Sequence, residues 1–280
     1  MRGKEPQVAE SLRLIGGVAV ITGAASGIGT GLARKAVSLG MRVVLADIQA
    51  EALEAFAATL DGEVVTVPTD VSKPESVEAL ADRAYAAFGE VDLLFNNAGV
   101  MATGFSWEIE PARWDRSIGV NLYGVLHGIR SFVPRLLKAG RPAHIVNTSS
   151  VGGFMASPMM APYSVTKFAV VALTEALRGE LEMLKAPVGV SLLAPGPVSS
   201  GIFNDPFGAN IRPEVQQFVD YLRVLLTQHG LSPDEFAELV FGGIADGAFW
   251  IIPQPHAFDD GFRKRVEDIL ARRNPSTHQY

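Results

Sequence analysis

The sequence predicts a single α/β domain in which a parallel sheet is wound by helices on both faces. Three observations carry this expectation. Apolar runs of strand length alternate with longer stretches of helical period along almost the whole chain. Runs such as "VAVIT", "VVLA" and "VDLLF" are apolar nearly throughout instead of at every second position, which suits strands covered on both faces. No break of composition, internal repeat or low-complexity linker divides the 280 residues, so one domain over 14–280 is expected behind a short N-terminal arm, 1–13. Strands separated by helix-length segments are βαβ units, and their right-handed crossovers place helices on both sides of the sheet.

Taken in order, Val18 to Thr22 reads as a strand, Gly29 to Leu39 as a helix, Arg42 to Asp47 as a strand and Ala50 to Leu60 as a helix. A strand at Glu63 to Pro68, a helix at Pro74 to Phe88 and a strand at Val91 to Asn96 follow. Trp114 to Leu137 is a long helix, "AHIVNTSS" a strand ending at Ser150, Tyr163 to Leu184 a second long helix, and "VGVSLLAP" a strand over 188–195. "FWIIP" at 249–253 makes a short seventh strand. Residues 197–232 depart from the rhythm with Pro197, Pro206, Gly208 and Pro213, then a helical period through Val215, Phe218, Val219, Leu222, Leu225 and Leu226. An insertion after the carboxyl end of a strand reads as a lid over a ligand site or as a helical pair packed permanently on the core.

Composition excludes several function classes. A net charge of −6 and a pI near 5.4 argue against a nucleic-acid partner. The one basic concentration, Arg263, Lys264, Arg265, Arg272 and Arg273, reads as a solvated helix face. With no cysteine there is neither a disulfide nor a thiolate metal site, which is compatible with the reducing cytoplasm where the chain is expected. The first sixteen residues carry Arg2, Lys4, Glu5 and Glu10 and lack a signal-peptide apolar core, and no later stretch has the uncharged length of a membrane span. No membrane partner is expected. His127, His144, His229, His256 and His278 have no ligand spacing, so no metal is expected.

The stretch "ITGAASGIGTGLA" lies between the first strand and the first helix. Gly23 suits the turn, Gly27 lets backbone approach a pyrophosphate, Gly29 lets helix pack on strand, and the helix start offers N–H groups to an anion. The same spacing alone would also serve a tight turn. Asp47, ending "VVLAD", can accept from both hydroxyls of an adenosine ribose and would repel a 2′-phosphate, favouring NAD over NADP. Ser26, where a basic residue would have favoured the phosphate, agrees. Asp47 could equally cap the helix that begins near Ala50.

In "APYSVTKFAV" Tyr163 and Lys167 stand four apart at a helix start, which stacks them on one face. A neighbouring ammonium lowers the pKa of a phenol, about 10 when unperturbed, toward the range useful for acid–base work. Taken alone, Y-x-x-x-K is ordinary helix-surface composition. Upstream, Ser149 and Ser150 end a strand, where a hydroxyl can hydrogen-bond a carbonyl oxygen or alkoxide in the same cleft.

Together these residues resemble the short-chain dehydrogenase/reductase family. "TGAASGIG" from Thr22 to Gly29, Asp70 with Val71, "NNAG" from Asn96 to Gly99, Asn121, Ser150, "YSVTK" from Tyr163 to Lys167 and "PGPVSS" from Pro195 to Ser200 occur in order over about residues 14 to 255. The resemblance implies a Rossmann fold with seven parallel strands in the order 3-2-1-4-5-6-7. It implies Tyr163 as general acid/base, Lys167 as the group that lowers its pKa and bonds the nicotinamide ribose, and Ser150 as the group orienting the substrate oxygen. Asn121 would hold a water in a proton relay. Cofactor contacts would come from Gly23, Ser26, Gly27, Ile28, Gly29, Asp47 and Ile48, from Asp70 and Val71 at the adenine, and from Asn97, Ala98 and Gly99. Pro195, Gly196, Val198 and Ser200 would border the nicotinamide, with Ser200 standing where many members carry threonine.

Met101, Phe105, Phe154, Met155, Met159, Met160, Phe203 and Phe207 lie near the expected pocket mouth. Of these, Phe154, Met155, Met160 and Phe203 are, with Ser150, the candidate substrate contacts, and their character points to a bulky apolar or aromatic alcohol or ketone. The run "GVNLYGVLHGIRSFVPRLL" and the tail "QHGLSPDEFAELVFGGIADGAFWIIPQP" are similar to a bacterial subgroup that includes lignin-ether Cα-dehydrogenases. That resemblance implies benzylic secondary alcohols as a substrate class. Apolar and small positions on the two long helices (Leu122, Val125, Leu126, Ile129 and Phe132; Ala169, Ala172, Leu173, Ala176 and Leu177) point to a homodimer or homotetramer built on them. The expected activity is an NAD(H)-dependent alcohol dehydrogenase. An NADP(H)-preferring carbonyl reductase, an enzyme of the same fold that dehydrates or epimerises, and an idle NAD-binding sensor stand as alternatives.

Overall fold

A computed structural model describes residues 12–208 and 211–275. The expected arm falls outside them up to residue 11. At its end Leu12 packs against the core and Arg13 pairs with Glu90 and Asp92.

Seven apolar runs form one parallel sheet. They are β1 (Val18–Thr22), β2 (Arg42–Asp47), β3 (Val64–Pro68), β4 (Leu93–Asn96), β5 (Ala143–Thr148), β6 (Val188–Leu193) and β7 (Trp250–Ile251), and their order is β3-β2-β1-β4-β5-β6-β7. Between them run α1 (Gly27–Ser38), α2 (Ala50–Ala57), α3 (Pro74–Phe88), α4 (Pro111–Ile118), α5 (Gly124–Ala139), α6 (Ala161–Met183), α7 (Pro213–His229) and α8 (Pro233–Ala245). Helix α9 (Asp259–Leu270) follows the last strand. Side chains of alternate strand positions part to opposite faces. Ala19, Ile21, Leu93, Phe95 and Val146 pack under α1 and α8, whereas Val18, Val20, Leu94 and Ile145 pack under α3, α5 and α6. With both faces covered there is no polar face to alternate with, which is why the runs are continuously apolar. Helix α8 starts where Ser232 and Glu235 form a reciprocal cap, each side chain accepting from the other's backbone N–H.

Three expected elements differ. The helix read as continuous from 114 to 137 begins at Pro111 and is interrupted by a π turn at Gly119–Tyr123, which carries Asn121 into the interior. Strands β5 and β6 end at Thr148 and Leu193, two residues before the apolar runs do, so Ser149, Ser150, Ala194 and Pro195 belong to loops. Residues 197–232 hold a loop and the single helix α7, not a helical pair. Val125, Phe132 and Leu177, counted above toward an interface between copies, are buried in the chain's own core. Among the described residues no helix is long and apolar enough to cross a membrane.

Candidate active site

The order of strands reverses direction between β1 and β4, and a crevice opens beyond their carboxyl ends. The glycine loop lies there. Gly23 and Gly27 have φ of +67° and +53°, and a Cβ on Gly29 would stand 2.0 Å from the Gly23 carbonyl oxygen, so a side chain at any of the three is excluded or strained. Ser26 precedes α1 without capping it through its side chain, and no acid occupies the first turn. The resulting cradle of free N–H groups fits an anionic phosphate. Ser200 comes from the opposite side, its Cβ 2.9 Å from where a Gly27 Cβ would be.

Neighbouring groups lock this geometry. The Thr22 hydroxyl donates to the Phe95 carbonyl and accepts from the Asn97 and Ala98 N–H groups, while the Asn97 amide donates to the Thr22 carbonyl at 2.9 Å. The Asp47 carboxylate accepts from Ala25 N–H in the glycine loop and from Gln49 N–H at the threshold of α2, both at 3.0 Å. It therefore does the local work of a turn cap and also ties β2 to the loop, while Ile48 beside it is exposed. Asp70 closes its own turn by accepting from the N–H and hydroxyl of Ser72, and the Val71 carbonyl contacts His127 Nδ1 at 2.9 Å.

Tyr163 and Lys167 lie one turn apart on α6, both buried, in the first turns that Pro162 opens. The Ser150 hydroxyl hydrogen-bonds the Tyr163 phenol and accepts from Gly152 N–H at 3.0 Å. Ser149 turns the other way and donates to the Lys167 carbonyl, which separates the two serines by strand alternation. The Lys167 ammonium donates to the Thr148 carbonyl at 2.8 Å and stands 5.6 Å from the centre of the Tyr163 ring.

The electrostatics depart from expectation. Burial raises the Tyr163 phenol above its ordinary value, and the Ser150 hydrogen bond offsets only part of that. Lys167, spent on a backbone carbonyl, does not lower it; burial instead brings the ammonium down to about 8. Asn121 is also differently employed. Its side chain accepts from Val100 N–H and donates to the Val100 carbonyl and to Thr166 Oγ1, binding the segment after β4 to α6. Gly99 lies close by, its missing Cβ 3.6 Å from Lys167 Nζ.

Of the four apolar substrate candidates the structure brings two to the phenol. Phe203 and Met160 pack in one cluster with Met101, Tyr163 and Val219, joined by Phe207. Phe154 and Met155 are corrected. The turn Val151–Gly153 is pressed onto α6, where a Gly153 Cβ would meet the Lys167 carbonyl oxygen at 2.8 Å, and it carries the following residues past the cleft. Phe154 stacks edge-on with Phe258, Phe262 and Trp250 at 5.1, 5.5 and 5.8 Å, and Met155 packs in the same cluster.

Several residues given no role above hold the site. Thr103 donates through both N–H and hydroxyl to the Pro206 carbonyl, drawing residues 203–207 over Tyr163. Gln254 donates to the Pro197 carbonyl at 2.6 Å, and its side chain closes the space in which a Gly196 Cβ would sit, at 3.0 Å. Their sequence signals were weak, a threonine in a loop and a lone glutamine between prolines.

Comparison with known proteins agrees with this geometry. The family model for short chain dehydrogenase matches residues 17–208. A C alpha-dehydrogenase of Sphingobium sp. is 38% identical over 263 residues, covering 90% of this chain and 85% of that protein. A short chain dehydrogenase/reductase from Burkholderia phymatum, solved in complex with NAD, is 41% identical and superposes with a TM-score of 0.92 over 96% of this chain and 100% of that one. The apo form of LigD from Sphingobium sp. strain SYK-6 is 35% identical, with a TM-score of 0.78 over 94% of this chain and 100% of its own. A glycine cradle at the sheet's crossover point and a buried phenol–ammonium pair beyond it thus occur in a chain that belongs to the short-chain dehydrogenase family of oxidoreductases.

Proposed function

We propose that the protein interconverts a secondary alcohol and its ketone with NAD(H), acting on a bulky apolar or aromatic substrate. One observation carries this reading: a buried phenol, Tyr163, hydrogen-bonded to Ser150 and one helical turn from Lys167, faces an apolar cluster at the sheet edge that also holds the glycine cradle. The cradle of Gly23, Gly27 and Gly29 would hold the pyrophosphate, Asp47 the adenosine ribose, Asp70 and Val71 the adenine side, and Pro195, Gly196, Val198 and Ser200 the nicotinamide side. Nicotinamide, when bound, supplies or accepts the hydride.

The chain's own residues handle the proton. Ser150 orients the substrate oxygen, and Tyr163 gives that oxygen a proton in reduction or takes one in oxidation. Because burial keeps Tyr163 protonated above its ordinary range, proton donation is favoured at neutral pH and oxidation gains with rising pH. Lys167 places positive charge beside the phenol. With the Asn121 side chain engaged, a water relay would run from its backbone carbonyl. Met101, Met160, Phe203 and Phe207 offer the reacting carbon an apolar surround, and residues 197–232 act as the lid. The 38% identical relative, named for dehydrogenation at a Cα carbon, supports a secondary-alcohol substrate.

Copies of the chain associate through α6, whose exposed positions Val165, Ala172 and Ala176 adjoin an apolar groove of about 640 Å³ at Phe168, Trp250 and Phe262. The test of function is a panel of aryl and alicyclic secondary alcohols followed by NADH absorbance. Tyr163→Phe is expected to lower turnover by about 10²- to 10⁴-fold while NADH still binds. Turnover retained in that variant removes Tyr163 from the role.

A further inference from the structure

Among the described residues, the buried side-chain polar atoms without a hydrogen-bond partner are Tyr85 Oη, Arg113 Nε, Thr148 Oγ1 and Gln254 Oε1. Thr148 is the last residue of β5, and its backbone carbonyl is the acceptor that holds the Lys167 ammonium at 2.8 Å. The face its side chain takes follows from its neighbours. Asn147 reaches Thr174 on α6 and Ser149 reaches the Lys167 carbonyl on α6, so Thr148, between them, points to the opposite face. That face carries Val146 and Leu193, the register partner of Thr148, in the core beneath α1 and α8. At its carboxyl end the same layer holds the glycine cradle and Val198. A hydroxyl that can both donate and accept is therefore buried, unpartnered, between the phenol–ammonium pair and the cradle.

We propose that Thr148 Oγ1 is a further contact to the bound dinucleotide, hydrogen-bonding a hydroxyl or amide group on its nicotinamide side. This rests on the dinucleotide reading above. A valine in the same place keeps the shape and β propensity and lacks the hydroxyl, whereas serine keeps the hydroxyl. Thr148 has no partner in the protein by itself, so its hydroxyl contributes nothing to the fold and leaves a desolvated group whose removal is neutral or stabilising.

The experiment compares the unaltered protein, Thr148→Val and Thr148→Ser by calorimetric titration with NADH and by thermal melting without dinucleotide. Thr148→Val is expected to weaken NADH binding about three- to tenfold with no fall in melting temperature, and Thr148→Ser to restore most of the affinity. An affinity indifferent to Thr148→Val overturns the inference, as does a melting temperature that falls, which would assign the hydroxyl a partner within the protein. If the unaltered protein gives no heat with NADH, the dinucleotide reading itself fails and this inference with it. Normal binding that ignores the valine sinks the inference alone.

Discussion

At the amino edge of the sheet the Asp92 carboxylate, wholly buried, accepts from Arg13, from Arg141 and from Val18 N–H at 2.8 Å. Glu90 beside it draws in Arg13, Arg42 and Arg141, and the hydrogen bond from Arg13 is the largest influence holding its carboxyl below the usual range. At the carboxyl edge Tyr163 and Lys167 are just as buried, yet a protonated phenol, an ammonium brought down to about 8 and an unpartnered threonine hydroxyl lie together there. The first set spends its polarity on the fold. The second is left partly unsatisfied by the protein alone, and an open α/β sheet takes its ligands at that end.

Removing the acceptor at the amino edge is the largest test of this contrast. Asp92→Ala leaves Val18 N–H buried without a partner and is expected to cost about 3 kcal/mol of stability by urea unfolding, with NADH affinity of the folded protein unchanged. A loss below about 1 kcal/mol, the range of exposed pairs, would erase the distinction between the edges.

Lys167 supplies a test of comparable size and opposite sign. Its pKa is lowered on folding from 10.5 to about 8, so between those values the unfolded chain binds more protons and stability rises with pH. Below pH 8 the whole burden is present, about 3 kcal/mol by linkage. Lys167→Met is thus expected to be more stable than the unaltered protein at pH 7, with the gap closing as pH passes through 8 toward 10.5. Urea midpoints at pH 7, 8.5 and 10 would show it; a gap that does not move with pH places no titration at Lys167.

The smallest effect concerns Asp47, which belongs to both fold and site. Asp47→Ala is expected to shift the ratio of NADH to NADPH affinities by about tenfold toward NADPH, about 1.4 kcal/mol, and to loosen the glycine loop through loss of the Ala25 bond. Equal weakening of both dinucleotides in calorimetry would confine Asp47 to its turn.

The chain's local chemistry was enough for the sheet and the cradle. Continuous apolar runs fix which segments are covered on both faces, and glycines at 23, 27 and 29 are demanded by backbone conformation and close approach. Four-residue spacing on a helix was enough to pair Tyr163 with Lys167. The differing destinations of Ser149 and Ser150 rest on where a strand ends, and Phe154 was misplaced because a three-residue turn, fixed by packing on α6, carries it away from the cleft.

What the sequence by itself determined, then, is the fold class, the crossover point and the identity of the phenol, ammonium and hydroxyl that meet beyond it. These follow from periodicity and from rules acting over a few residues. Only the tertiary structure decided that Lys167 bonds Thr148, that Asn121 is a tie to Val100, and that burial outweighs the ammonium at Tyr163. Desolvation and hydrogen-bond partnership depend on atoms brought together from distant parts of the chain, and no local pattern encodes them.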